Sequence, residues 1–370
     1  MQVIEAVGRE AILGLRAEWQ NLFRVSGCSN PFLSWSWTIA WADQSGSQDR
    51  CRLLCCRDDD RLLAILPLAR RRGRWEFFAK PLYADFMGCL CLPGRNDALT
   101  AIAEVLSGRR DVERVVLSAV HGLDKAIPFI ADALSARGWS VIRCVHCFNP
   151  HIPLVSNIEY YRASLPKRLR QELRTATNKL NRIGSWRFAE ASNPGQAQAW
   201  YDAMVTMHRQ RQVEKDGRSL FDEPGAVVFF RSMLAESTEE FEPHVSVIEL
   251  DGRPISAAYS LICGGRFYYW IPTFDRGVRV ASLGKLHIMR LIEICFARKL
   301  AAFDFMGGDE PYKLQWTSHS YENFNIIATG NTIYHWAAIG AIWARKHMRT
   351  AKRNSKFLGK VWRWLSKVIY

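Results

Sequence analysis

The chain has 370 residues, 48% of them hydrophobic and 12% aromatic, enough to build a large core and more than one domain. Fifty basic residues against 36 acidic ones leave a net charge of +14, which favours phosphate-bearing partners (nucleic acid, anionic lipid or a phosphorylated cofactor) without choosing among them. No apolar stretch is long enough to span a membrane, the region around Trp336 to Ala344 included, and the opening MQVIEAVGREAILGLRAEW lacks the basic-then-apolar order of a signal peptide.

Residues 8–24 and 36–43 read as helices around NPFLSWSW. A hairpin follows, CRLLCCR and RLLAILPLARR, joined by Asp58-Asp59-Asp60. WEFFAKPLYADFMGCLCLPG continues in strand-like fashion, and ALTAIAEVLSG, RVVLSAV, IPFIADALSARG and SVIRCVHCF alternate helix, strand, helix, strand. That alternation predicts an α/β domain ending near Pro153.

Ser164 reads as the N-cap of a helix over 165–183 that Gly184 closes. Leu165, Leu169, Leu173, Ala176, Leu180 and Ile183 form its apolar face, and Lys167, Arg168, Arg170, Arg174, Lys179 and Arg182 its basic one. A short strand at 186–191 and a helix at 196–212 precede three strands, HVSVIEL, RPISAAYSLIC and RFYYWIPTF. Their turns, Asp251-Gly252 and Gly264-Gly265, are hairpin signals. The loop RVASLG at 279–284 opens a helix, AFDFM at 302–306 reads as a strand ending in Gly307-Gly308, and a further helix is expected beyond it. The two halves share an element order without a detectable sequence repeat.

Strand, loop, helix, strand and glycine turn over 266–317 is the layout of a nucleotide-cofactor site. The amides and dipole of a helix N-terminus bind phosphate, and Arg279 and Lys285 flank this one. Ten scattered cysteines, with Cys144 and Cys147 as a lone CVHC pair, predict buried free thiols in a reducing compartment and no metal site.

The element order and the RVASLG loop resemble the GNAT acyltransferase fold, whose cofactor loop runs Arg/Gln-x-x-Gly-x-Gly/Ala. Arg279 and Gly284 match, and Ser282 stands where glycine is usual. More narrowly, NPFLSWSWTIAW (30–41), SLPKRLRQELR (164–174), MHRQR (207–211) and FDFMGGDEPYKLQW (303–316) resemble the CelD/BcsL-like, or BioF2-like, acetyltransferases linked to bacterial cellulose and exopolysaccharide synthesis. In architecture the chain is similar to the Fem-type tandem GNAT transferases.

The resemblance implies an α/β fold of tandem GNAT-like domains, each a mixed, mostly antiparallel sheet flanked by helices. Their bounds would be 1–155 and 156–325, followed by a basic helical tail at 326–370. It implies an N-acyltransferase that uses acetyl-CoA or another acyl-CoA on an amine acceptor: a sugar, a lipid-linked intermediate or a small metabolite. The pyrophosphate would sit on Arg279, Ser282, Leu283, Gly284 and Lys285, with the acyl arm between strands 267–274 and 302–306.

Proton transfer has four candidates. Asp304 is a base or substrate anchor, or else a carboxylate capping the next turn. Tyr312 is an acid for the leaving thiolate, or else a core tyrosine. Lys313 neutralises an anion, or else is a surface lysine. His208 is a shuttle near the acceptor, or else a core histidine on the apolar face of its helix. The tail 345–367 interleaves Lys and Arg with Trp362 and Trp364, which suits an anionic membrane surface; nucleic-acid contact is the competing reading, and a disordered solubilising tail the plain one. A cytoplasmic location, peripheral to the inner membrane through that tail, follows. A Fem-like transferase that uses aminoacyl-tRNA and a non-catalytic scaffold at the membrane remain alternatives.

Overall fold

A computed structural model describes residues 1–44, 51–71, 73–78, 83–109, 112–213 and 217–331, with Tyr334, Trp336 and Gly340 beyond them; the basic tail at 345–367 lies outside the described residues. In the first half, β1 (Gln2–Val7) leads into α1 (Gly8–Gly14), α2 (Arg16–Val25) and α3 (Trp35–Gln44). The hairpin of β2 (Cys51–Asp58) and β3 (Arg61–Arg71) turns at Asp59, which takes a left-handed φ of 49°. Cys55, Cys56 and Leu62 to Leu66 are buried without alternation, so both faces of this hairpin are covered. Next come β4 (Arg74–Phe77), β5 (Leu90–Cys91), α4 (Asn96–Gly108), β6 (Arg114–Val120), α5 (Ala126–Ala136) and β7 (Ser140–Pro153). All ten cysteines are free thiols.

The second half opens with α6 (Ile158–Ser164) and α7 (Lys167–Ile183). Ser164 is therefore the end of a short helix and not a cap; Pro166 holds the N-cap position of α7, because a proline needs no helical partner for a missing N–H. Leu169, Ala176 and Leu180 are buried, the six basic residues of α7 are exposed, and Ile183 lies outside the core at 40% exposure. Then follow β8 (Trp186–Glu190), α8 (Pro194–Val213), α9 (Ala226–Met233), β9 (Phe241–Leu250), β10 (Arg253–Cys263), β11 (Arg266–Phe274), α10 (Leu283–Ala297), β12 (Ala302–Asp304) and β13 (Ser320–Thr329). The strand at 320–329 is an element that the sequence reading did not place.

The strands form one sheet in the order β1-β2-β3-β4-β6-β13-β7-β12-β11-β10-β9-β8, with β5 beside β3. Each half repeats one motif. An antiparallel run ends in a strand that crosses over through a helix to a parallel neighbour: β4 to β6 through α4, and β11 to β12 through α10. The final strand of each half is exchanged. β13 pairs with β6 of the first half, β7 pairs with β12 of the second, and β7 and β13 pair with each other. The two halves thus share a continuous sheet centre.

Across the seam, NPFLSWSW packs on the second half. Phe32 stands edge-on to Trp270 at 5.1 Å and Trp37 to Phe229 at 6.0 Å, and the Tyr268 hydroxyl donates to Ser29 O at 2.5 Å. Gly264, at φ 53° in the β10–β11 turn, approaches Ser29 so closely that a Cβ would lie 2.7 Å from its Cα.

Candidate active site

β11 and β12 pair only from Arg266/Ala302 to Tyr268/Asp304. Beyond that point β11 continues alongside β10 to Phe274, whereas the chain after Asp304 follows β7: Phe305 N–H donates to Pro150 O at 2.9 Å and Gly308 N–H to Phe148 O at 2.9 Å. The two strands therefore diverge, and a gap opens past Tyr268 and Asp304. Phe303 and Phe305 point to the α10 face, where they pack with Tyr269, Ile288 and Tyr312; Tyr268, Trp270 and Met306 point to the opposite face.

The gap meets the N-terminus of α10. Its N-cap is Ser282, in a left-handed conformation at φ 64°, and no side chain caps the helix. The amides of the first turn, Leu283, Gly284 and Lys285, have no helical acceptor by geometry and face outward. A cavity of about 260 Å³ lies against this mouth. Its walls include Ser282 to Lys285, Phe274 and Tyr269 of β11, Tyr312 and the end of α8 at Arg211. Burial pushes the Tyr312 hydroxyl up to about 12. Lys285 is not free to meet an anion alone: its Nζ donates to Glu172 of α7 at 2.5 Å and to Gln315 at 2.7 Å, and that bond holds the Glu172 carboxylate below its usual range. Arg279 is exposed and is not part of the wall.

Arg211 was not singled out by sequence reasoning, which noted MHRQR only as part of a resemblance. Its guanidinium lies over the Phe274 ring at 4.3 Å, its Nε is buried without a hydrogen-bond partner, and no carboxylate pairs with it among the described residues. Burial lowers its pKa, because desolvation disfavours the charged guanidinium. A signal was present in the sequence. Trp200, Met204, His208 and Arg211 fall at helical spacing on one face, and an arginine on a core-facing stripe needs an explanation.

The other three expected residues do not line this cavity. Asp304 is fully buried on the opposite face. Its Oδ1 accepts from Met306 N–H at 2.8 Å, and its Oδ2 accepts from the Tyr321 hydroxyl at 2.8 Å and from Arg266 at 3.3 Å. Burial raises its pKa against those three partners. Tyr321 is also 3.0 Å from His121 Nε2 and accepts from Asn149 at 3.2 Å, so Asp304 belongs to a closed network between the halves. His208 is 8% exposed, bonds through Nδ1 to Ser219 Oγ at 2.8 Å and stands edge-on to Phe221. Lys313 is neither a surface lysine nor aimed at the cavity: at 4% exposure it donates to Gly307 O at 2.7 Å and pairs with Glu310 at 2.9 Å, which ties down the glycine turn.

Among the described residues there is no cluster of His, Cys, Asp or Glu fit to hold a metal, and no helix is long and apolar enough to cross a membrane. A larger cavity of about 550 Å³, walled by His121, Asp124 and the starts of α4 and α5, holds none of the expected site residues.

Residues 167–314 match the family model described as an acetyltransferase (GNAT) domain. Among solved structures, FemX superposes with a TM-score of 0.58 at 10% identity, over 84% of this chain and 95% of its own. The C-terminal domain of a putative lysylphosphatidylglycerol synthetase from Agrobacterium fabrum gives 0.55 at 10% identity, over 87% and 93%. L-PGS from Bacillus licheniformis gives 0.53 at 10%, over 80% and 91%. At such identities these likenesses speak to the fold. No curated protein matches the chain. Nothing in these comparisons reaches the narrower CelD/BcsL-like family. The matched domain and the strands that part beside an uncapped helix mouth agree on an acetyltransferase (GNAT) type of fold over residues 167–314.

Proposed function

We propose that the protein transfers an acyl group from acyl-CoA to an amine, with the cavity at the mouth of α10 as the co-substrate site. The carrying observation is an uncapped helix N-terminus facing a cavity in whose wall Arg211 has no carboxylate partner among the described residues. The free amides of Leu283, Gly284 and Lys285, with Arg211 opposite and Arg279 exposed just before the helix, suit a diphosphate. The thioester would lie in the gap between β11 and β12, where unpaired strand amides polarise its carbonyl. Tyr312 stands on the α10 face of that gap. With its hydroxyl near 12 and an alkyl thiol near ~8.5, it donates a hydrogen bond to the departing thiolate without surrendering its proton. Asp304, His208 and Lys313 hold the walls in place. The acceptor is an amine on a sugar, a lipid-linked intermediate or a small metabolite, with exopolysaccharide synthesis as the setting. A contact between 345–367 and an anionic membrane belongs to this proposal through the sequence alone.

A second reading has its own observation. The exposed basic face of α7 lies beside the α10 mouth, joined to it through Glu172 and Lys285, and would suit the phosphates of an aminoacyl-tRNA donor. Thermal unfolding separates the two. Acetyl-CoA at a hundred times its Kd adds about 2.7 kcal/mol, which for a chain of this length is a rise of about 3–4 °C. No rise with acetyl-CoA, and a salt-sensitive rise with aminoacyl-tRNA, would replace the first reading by the second.

A further inference from the structure

Asp85 belongs to the first half, between β4 and β5, yet its side chain ends at the strand gap of the second half. Gly307 N–H, in the turn after β12, donates to its Oδ2 at 3.2 Å, and the Trp270 indole on β11 is close enough to the same carboxylate to pull its pKa down. These two groups stand on opposite arms of the gap, just past its vertex at Tyr268 and Asp304. The carboxylate thus spans the opening on the Trp270 face, while Tyr269 and Tyr312 occupy the α10 face. Asp304 is nearer the vertex, but it is fully buried and both its oxygens are engaged, whereas Asp85 keeps part of its surface exposed.

We propose that Asp85 is the general base of the transfer, supplied by the first half to the catalytic gap of the second; the inference rests on reading that gap as the acyl-transfer site. The Asp85 carboxylate takes a proton from the bound ammonium, and the freed amine nitrogen forms the C–N bond with the thioester carbonyl. The C–S bond breaks, the thiolate accepts a hydrogen bond from Tyr312, the proton held on Asp85 reaches the thiolate through water, and the new amide nitrogen sheds its surplus proton to solvent. Two N–H bonds of the ammonium are lost, one S–H is gained and one proton goes to water. Burial raises the Asp85 carboxyl, the direction that makes it a stronger base; Gly307 N–H, Lys313 and the indole pull it down, and Asp304 pushes it up.

The test uses the full chain, acetyl-CoA, and two probe amines: ethanolamine, which is protonated at neutral pH, and hydroxylamine, which is not. Asp85→Asn keeps an oxygen to accept from Gly307 N–H, so acetyl-CoA should raise its thermal midpoint as it does in the wild type. Thiol release with ethanolamine should fall about 100-fold or more, and with hydroxylamine far less. Asp85→Ala should regain rate with added formate. Equal losses with both amines, no formate rescue, or a rate within twofold of wild type would overturn the role of Asp85 while leaving the transferase reading standing. A wild type that does not bind acetyl-CoA would instead remove the reading on which the inference rests.

Discussion

Replacing Arg211 with methionine should move stability and ligand affinity in opposite directions. The guanidinium is half-buried, has no carboxylate partner among the described residues, and carries a buried Nε without an acceptor. Leaving such a group unsatisfied costs about 1–3 kcal/mol. Against its removal stand the cation–π contact with Phe274, about 0.5–1 kcal/mol, and stem packing that methionine largely keeps. The ligand-free variant should therefore be as stable as wild type or more stable, by up to about 2 kcal/mol. Acetyl-CoA should lose a charge-assisted bond to phosphate worth about 1.5–3 kcal/mol, or roughly 10- to 150-fold in Kd. Urea unfolding without ligand and calorimetric titration with acetyl-CoA give the two numbers. A variant that loses more than about 2 kcal/mol of stability and binds acetyl-CoA like the wild type would show that Arg211 is a packing residue, and the assignment of the cavity would fail with it.

Two further outcomes follow from the same geometry. Lys313→Met strips Gly307 O of its donor inside the fold, so the thermal midpoint and urea stability should fall by about 2 kcal/mol, equally with and without acetyl-CoA; a selective loss of acetyl-CoA binding would contradict the structural role given to Lys313. Ser282→Gly relieves a left-handed non-glycine residue at the α10 N-cap. It should raise stability by about 1 kcal/mol without weakening acetyl-CoA, and a drop in either quantity would count against the cap geometry.

Much of the second half was legible because its signals are local. Asp251-Gly252 and Gly264-Gly265 both take left-handed φ at their two central positions, as the dipeptides predict. The apolar stripe of α7 is buried at its centre, and the start of α10 lies where RVASLG put it. What escaped depends on partners far away in sequence. β1 is a partly exposed edge strand without clean alternation. β13 reads as polar because Asn323 and Asn325 are buried in the sheet centre, where they accept from Gly122 and Ala119 amides at 2.9 Å. Strand alternation alone puts Asp304 on the face opposite Phe303 and Phe305, but its closure by Tyr321 needs a strand folded back from beyond residue 320. Asp85 comes from a strand-like run and is unremarkable until the tertiary fold brings it beside Gly307, whereas Arg211 carried a local signal, its place on the apolar stripe of α8, that only the cavity explains.

The exchange of β7 and β13 fixes the order in which this protein can be completed during synthesis. When the ribosome has delivered the first half, β6 still lacks its neighbour on one side, because that neighbour is the last strand described. Until Thr329 emerges, the unfilled slot lies at the middle of the sheet and not at its rim. Neither half then completes its own sheet, and the contact of Asp85 with Gly307 forms only when the two halves meet.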